Sequence, residues 1–360
     1  MTLNDDKGLA EPIPKSASGI VNYVLTSLPL NVVHYLRDIG IINILNDVLV
    51  VLIGIGLIGT KPKLLSSFLS LSSRMRTIKY GTKPFHIMEV IDPIPGRNDI
   101  CNDTCCIFIH GGAWGSGKPW MYRLIAENTS RFLECDQSFI VIGYPVYPYG
   151  NIYEQSQSIY NAIKYIKEHE IEIFKKKDIN YVLCGHSSGA NIGALAIMNS
   201  IRYRDESKLV DSFVSLAGVF DIMKHYYWEK SRGLHEISPM KPAALGFDNF
   251  HKCSPTQLLQ QNMTTIFNNN ELKDERFDEE QVRRLFPSTL LLHGTFDHVV
   301  PFTSSKEFAI ELDRKGVNCD IVYFNGDHGE PILDTMKSEI TVFKTSLRTA
   351  WSRHKKMNIC

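Results

Sequence analysis

From Thr77 onward the chain alternates short, unbroken apolar runs with longer stretches of helical periodicity, and this alternation restricts the possible fold more than any other feature. The apolar runs fall at 86–91, 105–110, 139–144, 180–185, 212–216, 288–293 and 319–324. Apolar runs without polar alternation are the signature of strands buried on both faces of a parallel sheet. Between them lie helical patterns at 151–170, 188–202 and 303–315, and a last one at 331–355. In the first, Ile159, Ile163 and Ile166 recur at i, i+4 and i+7 on one face. This order predicts a three-layer α/β domain with right-handed crossovers, a mostly parallel central sheet and helices on both faces. The alternation lapses over 221–285, which is charged, aromatic and Asn-rich and too long for a simple connection. That interval is expected to form an inserted helical cap, with Asn268 to Asn270 as a loop.

The first 75 residues belong to a different kind of sequence, so the division is 1–75 and 76–360. Residues 1–18 are polar and read as a tail. Residues 20–58 are strongly apolar, and 48–58 carries no charge at all. A membrane-spanning helix needs about 20 predominantly apolar residues. Extending the run back to Ile41 meets Asn43, Asn46 and Asp47, and an aspartate at mid-membrane costs about 3 kcal/mol. Two readings stay open: a membrane anchor, spanning or hairpin-like, formed by 20–60, or an apolar layer packed on the rest of the protein or on lipid. Lys61, Lys63, Arg74, Arg76 and Lys79 follow the segment, and only Arg37 closely precedes it. By the positive-inside tendency the following domain faces the cytosol. The sequons at Asn102, Asn128 and Asn262 test that orientation.

Composition excludes other classes. Lys plus Arg and Asp plus Glu balance at 39 each, so nothing points to nucleic acid as a partner. Eight cysteines in 360 residues do not make a disulfide scaffold. Cys101, Cys105 and Cys106 cluster, but without a second cluster at zinc spacing no metal site is expected. Cys106 and Cys184 lie in strand-like runs and are expected as buried, reduced thiols.

Four short motifs carry chemistry. Gly185-His186-Ser187-Ser188-Gly189 follows a strand and precedes an Ala-rich helix, the strand–turn–helix setting of a nucleophile elbow. The turn is tight, so Gly185, Gly189 and Ala190 must be small, and it lifts Ser187 to a helix N-terminus where free N–H groups favour negative charge. His110-Gly111-Gly112-Ala113-Trp114 ends another strand. Its glycines let the backbone approach a tetrahedral oxyanion, so the N–H groups of Gly111 and Gly112, with that of Ser188, are the candidate oxyanion hole. His110 is expected to order this loop. Asp297, in the loop after the strand at 288–293, is positioned to orient a catalytic histidine. His328 follows the last strand and is the candidate general base. His298 and His186 are its rivals, His186 being expected to point away from the reaction centre. Asp327, adjacent to His328, cannot easily reach that residue's Nδ1. The chain order of oxyanion loop, Ser, Asp, His is that of the α/β-hydrolase fold.

These motifs resemble those of carboxylesterases related to hormone-sensitive lipase and kynurenine formamidases. The stretch Asp221-Ile-Met-Lys-His-Tyr-Tyr-Trp-Glu-Lys-Ser-Arg-Gly-Leu-His-Glu-Ile-Ser-Pro-Met-Lys-Pro-Ala243 resembles the prenylcysteine α-carboxyl methylesterase family, with likeness over roughly 77–350. The resemblance implies hydrolysis of the methyl ester on a C-terminal prenylcysteine, with Ser187, Asp297 and His328 as triad. It also implies a membrane-associated protein of the endoplasmic reticulum or Golgi. The segment around Asn43 to Asp47 departs from a clear multi-span anchor. His225, Glu229 and Arg232 are spaced i, i+4, i+7 and are candidates to hold the polar end of a small-molecule or prenylated-peptide ester. Trp114, Trp120, Tyr226 and Trp228 are candidate apolar surface for the lipid. An Arg–Glu pair fixing the cap over packed aromatics is the competing explanation. No metal or organic cofactor is implied. Arylformamidase, general lipid or xenobiotic carboxylesterase, and a non-catalytic binding module are the alternatives.

Overall fold

The computed structural model describes residues 27–60, 62–93, 103–125, 138–268 and 271–335, together with 129, 345 and 351. Cys101, two of the three sequons (Asn102 and Asn128) and most of the expected closing helix at 331–355 lie outside the described residues. Among the described residues three helices come first: α1 (Ser27–Asp38), α2 (Ile41–Thr60) and α3 (Pro62–Ser73). An eight-stranded sheet follows, built from β1 (Met75–Lys79), β2 (Ile87–Ile91), β3 (Thr104–Ile109), β4 (Phe139–Ile142), β5 (Asn180–His186), β6 (Ser212–Leu216), β9 (Ser288–Gly294) and β10 (Cys319–Phe324). The strand order is β1-β2-β4-β3-β5-β6-β9-β10. β1 and β2, and β2 and β4, run antiparallel; every other neighbouring pair is parallel. This is the α/β-hydrolase fold the motif order implied.

The apolar runs are explained by burial on both faces. Along β3, Cys105, Ile107 and Ile109 join one core, and Cys106 and Phe108 join the other. In β5, Tyr181 and Leu183 face the first core and Val182 and Cys184 the second. The first core is closed by α4 (Ile152–Glu168), the short α5 (Glu170–Phe174), α6 (Ser188–Arg202) and α11 (Thr303–Arg314), through residues such as Ile159, Ile173, Ile197 and Phe308. The second takes Leu71 of α3 and Trp351. Each such fully buried side chain contributes about 1.5–3 kcal/mol. Cys105, Cys106 and Cys184 are buried free thiols.

Two elements differ from the sequence reading. β1 is an antiparallel edge strand whose residues are partly buried or exposed, so it lacks the apolar run that marks the interior strands. The interval 221–285 is also not purely helical. It contains α7 (Ile222–Ser231), α8 (Met240–Ala243), α9 (Pro255–Gln261) and α10 (Glu279–Leu285), but between the last two β7 (Met263–Asn268) pairs with β8 (Glu271–Arg276) as a hairpin. The β-branched and aromatic residues Thr264, Thr265, Ile266 and Phe267 favour a strand there, and Asn269 and Asn270 lie outside the described residues. Asn262, the remaining sequon, ends α9 in the left-handed conformation.

The polar break in the N-terminal segment has a tertiary cause. Asn43, Asn46 and Asp47 share one face of α2, and that face docks on the sheet domain. Asn43 donates to the Tyr147 carbonyl at 2.8 Å and Asn46 donates to Ser116 Oγ at 2.7 Å. Asp47 accepts from the Gly117 N–H at 2.7 Å. The opposite face leaves Ile44, Leu45, Val48, Leu49, Leu52 and Ile55 exposed. Among the described residues no single helix is long and apolar enough to cross a membrane. A bent pair, Leu30–Asp38 with Ile41–Gly56 at 74°, meets that length and composition together.

Candidate active site

The sheet brings the four motifs to one edge. Ile109 of β3 pairs with Gly185 of β5, His186 with Leu216 of β6, Leu216 with Leu292 of β9, and Gly294 with Phe324 of β10. Because these strands are parallel and in step, the residues just beyond them (His110, Ser187, Asp297 and His328) emerge together, as expected for ligand sites at strand carboxyl ends.

Ser187 sits on a sharp elbow with φ 54° and ψ −124°, a conformation that few side-chain-bearing residues adopt. The elbow has no room for larger neighbours. A Cβ on Gly185 would stand 2.7 Å from Ala190, and one on Gly189 would stand 2.4 Å from the Ile109 and His110 carbonyls. The candidate nucleophile and its partners form a continuous relay. The Ser187 hydroxyl donates to His328 Nε2 at 3.0 Å, and His328 Nδ1–H donates to Asp297 Oδ2 at 2.7 Å. The rivals of these residues have other tasks. Asp327 accepts the N–H groups of Gly329 and Glu330 at the start of α12 (Glu330–Thr335). The carbonyl of His298 receives the Trp228 indole N–H at 3.1 Å and the Arg232 guanidinium.

His186 does not turn away from the centre. Its ring lies 4.9 Å from that of His328, and its Nε2–H donates to the His328 carbonyl at 3.2 Å. Burial, with His328 alongside, pushes its pKa down to about 3, so it is a neutral support beneath the base. The elbow's close packing, rather than exposure, decides where this side chain goes.

Asp297 is almost fully buried, which disfavours its charge. Hydrogen bonds from His293, His328 and the Val300 N–H more than offset that cost and hold its carboxyl well below the usual carboxylate range. Val299 and Val300 N–H each donate to Oδ1 at 2.8 Å. His293 was not singled out in the sequence. It is completely buried, 3.2 Å from Asp297 Oδ2 through Nε2, and its Nδ1 is fixed by Ser305 Oγ at 2.7 Å. The loops bearing Asp297 and His328 are joined directly: Phe296 N–H donates to the Gly326 carbonyl at 3.0 Å.

The oxyanion loop is held by its carbonyls. His110 Nδ1–H donates to the Gly111 carbonyl at 2.8 Å. The Gly112 carbonyl accepts from Gly115 N–H, Ser116 N–H and Ser116 Oγ, all at 3.0 Å. A peptide group is planar and trans, so fixing a carbonyl on one side turns the next N–H to the other. The N–H groups of Gly112 and Ala113 are therefore aimed away from these anchors, which adds Ala113 to the expected donors Gly111, Gly112 and Ser188. Gly111 needs its missing side chain, because a Cβ there would lie 3.1 Å from Ser187 Cβ. His110 is stacked between Tyr122 and Tyr144, with ring centroids at 5.1 and 4.4 Å, and burial lowers its pKa to about 4. It orders the loop as a neutral imidazole.

Trp114 follows Ala113 and is buried; its indole N–H donates to Asn191 Oδ1 at 3.1 Å. Asn191 Nδ2 in turn donates to the Cys253 carbonyl in the cap at 3.0 Å. Gln155 Nε2 donates to the Trp114 carbonyl at 2.9 Å. Neither Asn191 nor Gln155 was distinguishable in the sequence from any polar residue on a helix.

The structure separates the expected substrate-binding residues. His225 and Glu229 are turned inward, 3.4 Å apart, and His225 meets the Trp114 ring edge-on at 6.3 Å. Arg232 is the residue that ends α7, so it leaves their face and grips the His298 carbonyl at the surface. Glu229 takes the Ser238 hydroxyl at 3.0 Å rather than an arginine. Of the aromatics, Tyr226 packs on Phe247 and Phe250 inside the cap. Trp120 lines a cavity of about 430 Å³ between α2 and residues 143–149. Trp228, with Tyr227, Phe296 and Phe302, lines a groove of about 690 Å³ that reaches Asp297.

Fold and constellation together are those of the α/β-hydrolase class. The BD-FAE family profile matches residues 97–312, and the chain belongs to that family. Two Arabidopsis thaliana relatives, a probable isoprenylcysteine alpha-carbonyl methylesterase and an isoprenylcysteine alpha-carbonyl methylesterase, are 26% and 25% identical over 70% of this chain. The chain spans about half the length of these curated relatives, 50% and 55%. Among solved structures, carboxyl esterase 2 of Tuber melanosporum superposes with a TM-score of 0.58 at 17% identity, covering 78% of this chain and 86% of that one. A thermostable esterase from Pseudomonas putida gives 0.58 at 18% identity, covering 82% and 88%. These likenesses establish the fold.

Proposed function

We propose that the protein is a serine carboxylesterase whose substrate is the methyl ester of a C-terminal prenylcysteine. The observation that carries the esterase reading is the unbroken relay from Ser187 through His328 to Asp297, set beside backbone N–H groups whose carbonyls are locked. In the first half-reaction Ser187 Oγ attacks the ester carbonyl while His328 Nε2 takes its proton. The oxyanion forms against the N–H groups of the 111–113 loop and Ser188. The methoxide leaves with the proton held by His328, as methanol, and an acyl-enzyme remains. A water then loses its proton to His328, attacks the acyl carbon and releases the acid, returning the proton to Ser187. Asp297, kept anionic, stabilises the imidazolium in both halves. This chemistry calls for no metal or cofactor.

The prenylcysteine substrate is supported by the names of the plant relatives and by the apolar groove beside Asp297. Tyr227, Phe296 and Phe302 line that groove and are more than a third exposed, as a surface awaiting an apolar partner would be. Association with a membrane of the endoplasmic reticulum or Golgi, domain toward the cytosol, fits the exposed apolar face of α2 and a lipid-modified substrate. The deciding experiment compares the purified protein on prenylcysteine methyl ester, short p-nitrophenyl esters and N-formylkynurenine. The proposal expects the highest kcat/KM on the first. Highest activity on N-formylkynurenine makes it an arylformamidase instead, and indifference to the acyl group makes it a general carboxylesterase.

A further inference from the structure

We infer that Asn46 and Asp47 of the N-terminal helix are positioning residues for the oxyanion hole, so that α2 is a working part of the catalytic centre. Both side chains reach across to the loop that carries the hole. The Asn46 amide donates to Ser116 Oγ at 2.7 Å, and Ser116 Oγ donates onward to the Gly112 carbonyl at 3.0 Å. That carbonyl shares its peptide plane with the Ala113 N–H, so a chain of two hydrogen bonds runs from α2 to the peptide group whose N–H faces away from these anchors. The second contact is parallel to it. Asp47 Oδ1 accepts the Gly117 N–H at 2.7 Å. Gly117 is wedged against the other locked carbonyl: with φ 101°, it would place a Cβ 2.5 Å from His110 Nδ1 and 2.9 Å from the Gly111 oxygen. Holding Gly117 in place therefore holds the His110–Gly111 contact that aims the Gly112 N–H.

The fit of α2 to this loop is close. A Cβ on Gly115 would meet the Asn43 amide at 2.7 Å, so the glycine is what lets the helix approach. The loop has little regular structure of its own: Ala113 and Trp114 both have positive φ, 49° and 61°. A segment in such conformations keeps its shape only when its surroundings impose it. Asp47 remains a strong acceptor although burial raises its pKa, because the Gly117 N–H and nearby Lys118 favour its anion.

This inference rests on the esterase reading, and the experiment separates the two. Asp47→Ala, Asp47→Asn, Asn46→Ala and Asn46→Asp are made in the full chain. Each is titrated to its end point with a fluorophosphonate so that rates refer to folded, reactive sites only. Asp47→Ala, Asn46→Ala and Asn46→Asp are expected to lower kcat on the order of tenfold with KM within about twofold, because the loss falls on the transition state. Affinity for a trifluoromethyl ketone, which forms the same oxyanion, should fall by the same factor. Asp47→Asn keeps an oxygen for the Gly117 N–H and should recover most of the activity, whereas Asn46→Asp puts an acceptor where a donor is needed and should not. If the Ala variants match the unmodified protein per titrated site, or if Asp47→Asn is as impaired as Asp47→Ala, the inference is wrong. Turnover surviving in Ser187→Ala overturns the esterase reading itself.

Discussion

Trp114, on the oxyanion loop, donates its indole N–H to the side chain of Asn191, four residues past the nucleophile, and that same amide donates to the cap at Cys253. One buried asparagine thus ties loop, elbow helix and cap into a single piece. Asn191→Ala leaves the Trp114 N–H and the Cys253 carbonyl without partners. Unpaired buried groups cost about 1–3 kcal/mol each. Urea denaturation should show a loss of about 2–6 kcal/mol, and kcat/KM should fall on the order of tenfold at temperatures where the variant is folded. An unchanged midpoint together with unchanged kcat/KM would remove Asn191 from this role.

Acid should destabilise the fold well before Asp297 is affected. His110 and His186 are buried neutral, with pKa values near 4 and 3. In the unfolded chain each takes up a proton near pH 6.5. Between those limits the unfolded state binds more protons, so stability falls as the pH drops, by up to about 1.4 kcal/mol per pH unit for each histidine. Asp297 has the same sign in a lower window. Its depressed pKa contributes stability that persists throughout this window and is lost only below the ordinary carboxylate range. Urea midpoints measured from pH 7 to pH 4.5 should decline steadily, and a flat profile would contradict the neutral burial of the two rings.

Arg232 is expected to act on the fold rather than on the substrate, since its guanidinium grips a backbone carbonyl at an exposed position. Exposed contacts of this kind contribute about 1 kcal/mol or less. Arg232→Ala should therefore change KM for prenylcysteine methyl ester and p-nitrophenyl acetate by the same small factor. A rise in KM confined to the prenylated ester would restore Arg232 as a substrate ligand.

The outer face of α2 offers a direct test of membrane association. Replacing Leu45, Leu49 and Leu52 by serine removes apolar area that is more than half exposed, so activity on a soluble ester should hold within about twofold. Flotation with phospholipid vesicles should fall severalfold. Equal flotation of both proteins would place any lipid contact elsewhere.

Much of this was legible in the sequence, for physical reasons. Interior strands must be apolar on both faces, so β3, β5, β6 and β9 appear within about two residues of where periodicity put them, as does the edge strand β10. Ser187, Asp297 and His328 stand out because a tight elbow demands Gly185 and Gly189 and because parallel strands deliver their ends to one edge. What was hidden is what depends on distant partners. Asn46 and Asp47 look like flaws in an apolar segment until Ser116 and Gly117 are brought beside them. Arg232 keeps helical spacing with Glu229, yet it ends α7 and turns outward. His186 was expected to face away because only its elbow position was visible, and the ring of His328 beneath which it packs comes from 142 residues later in the chain. β1 and the β7–β8 hairpin escaped because neither carries the unbroken apolar run of a central strand.

The claim on which everything depends is that Ser187 is the nucleophile. Its direct measurement is steady-state turnover of a methyl ester by Ser187→Ala, alongside mass-spectrometric mapping of a fluorophosphonate adduct on the unmodified protein. Turnover should drop by at least about a thousandfold, and the adduct should map to the peptide carrying Ser187 and to no other serine. Near-normal turnover in the variant, or an adduct on a different residue, would contradict the account.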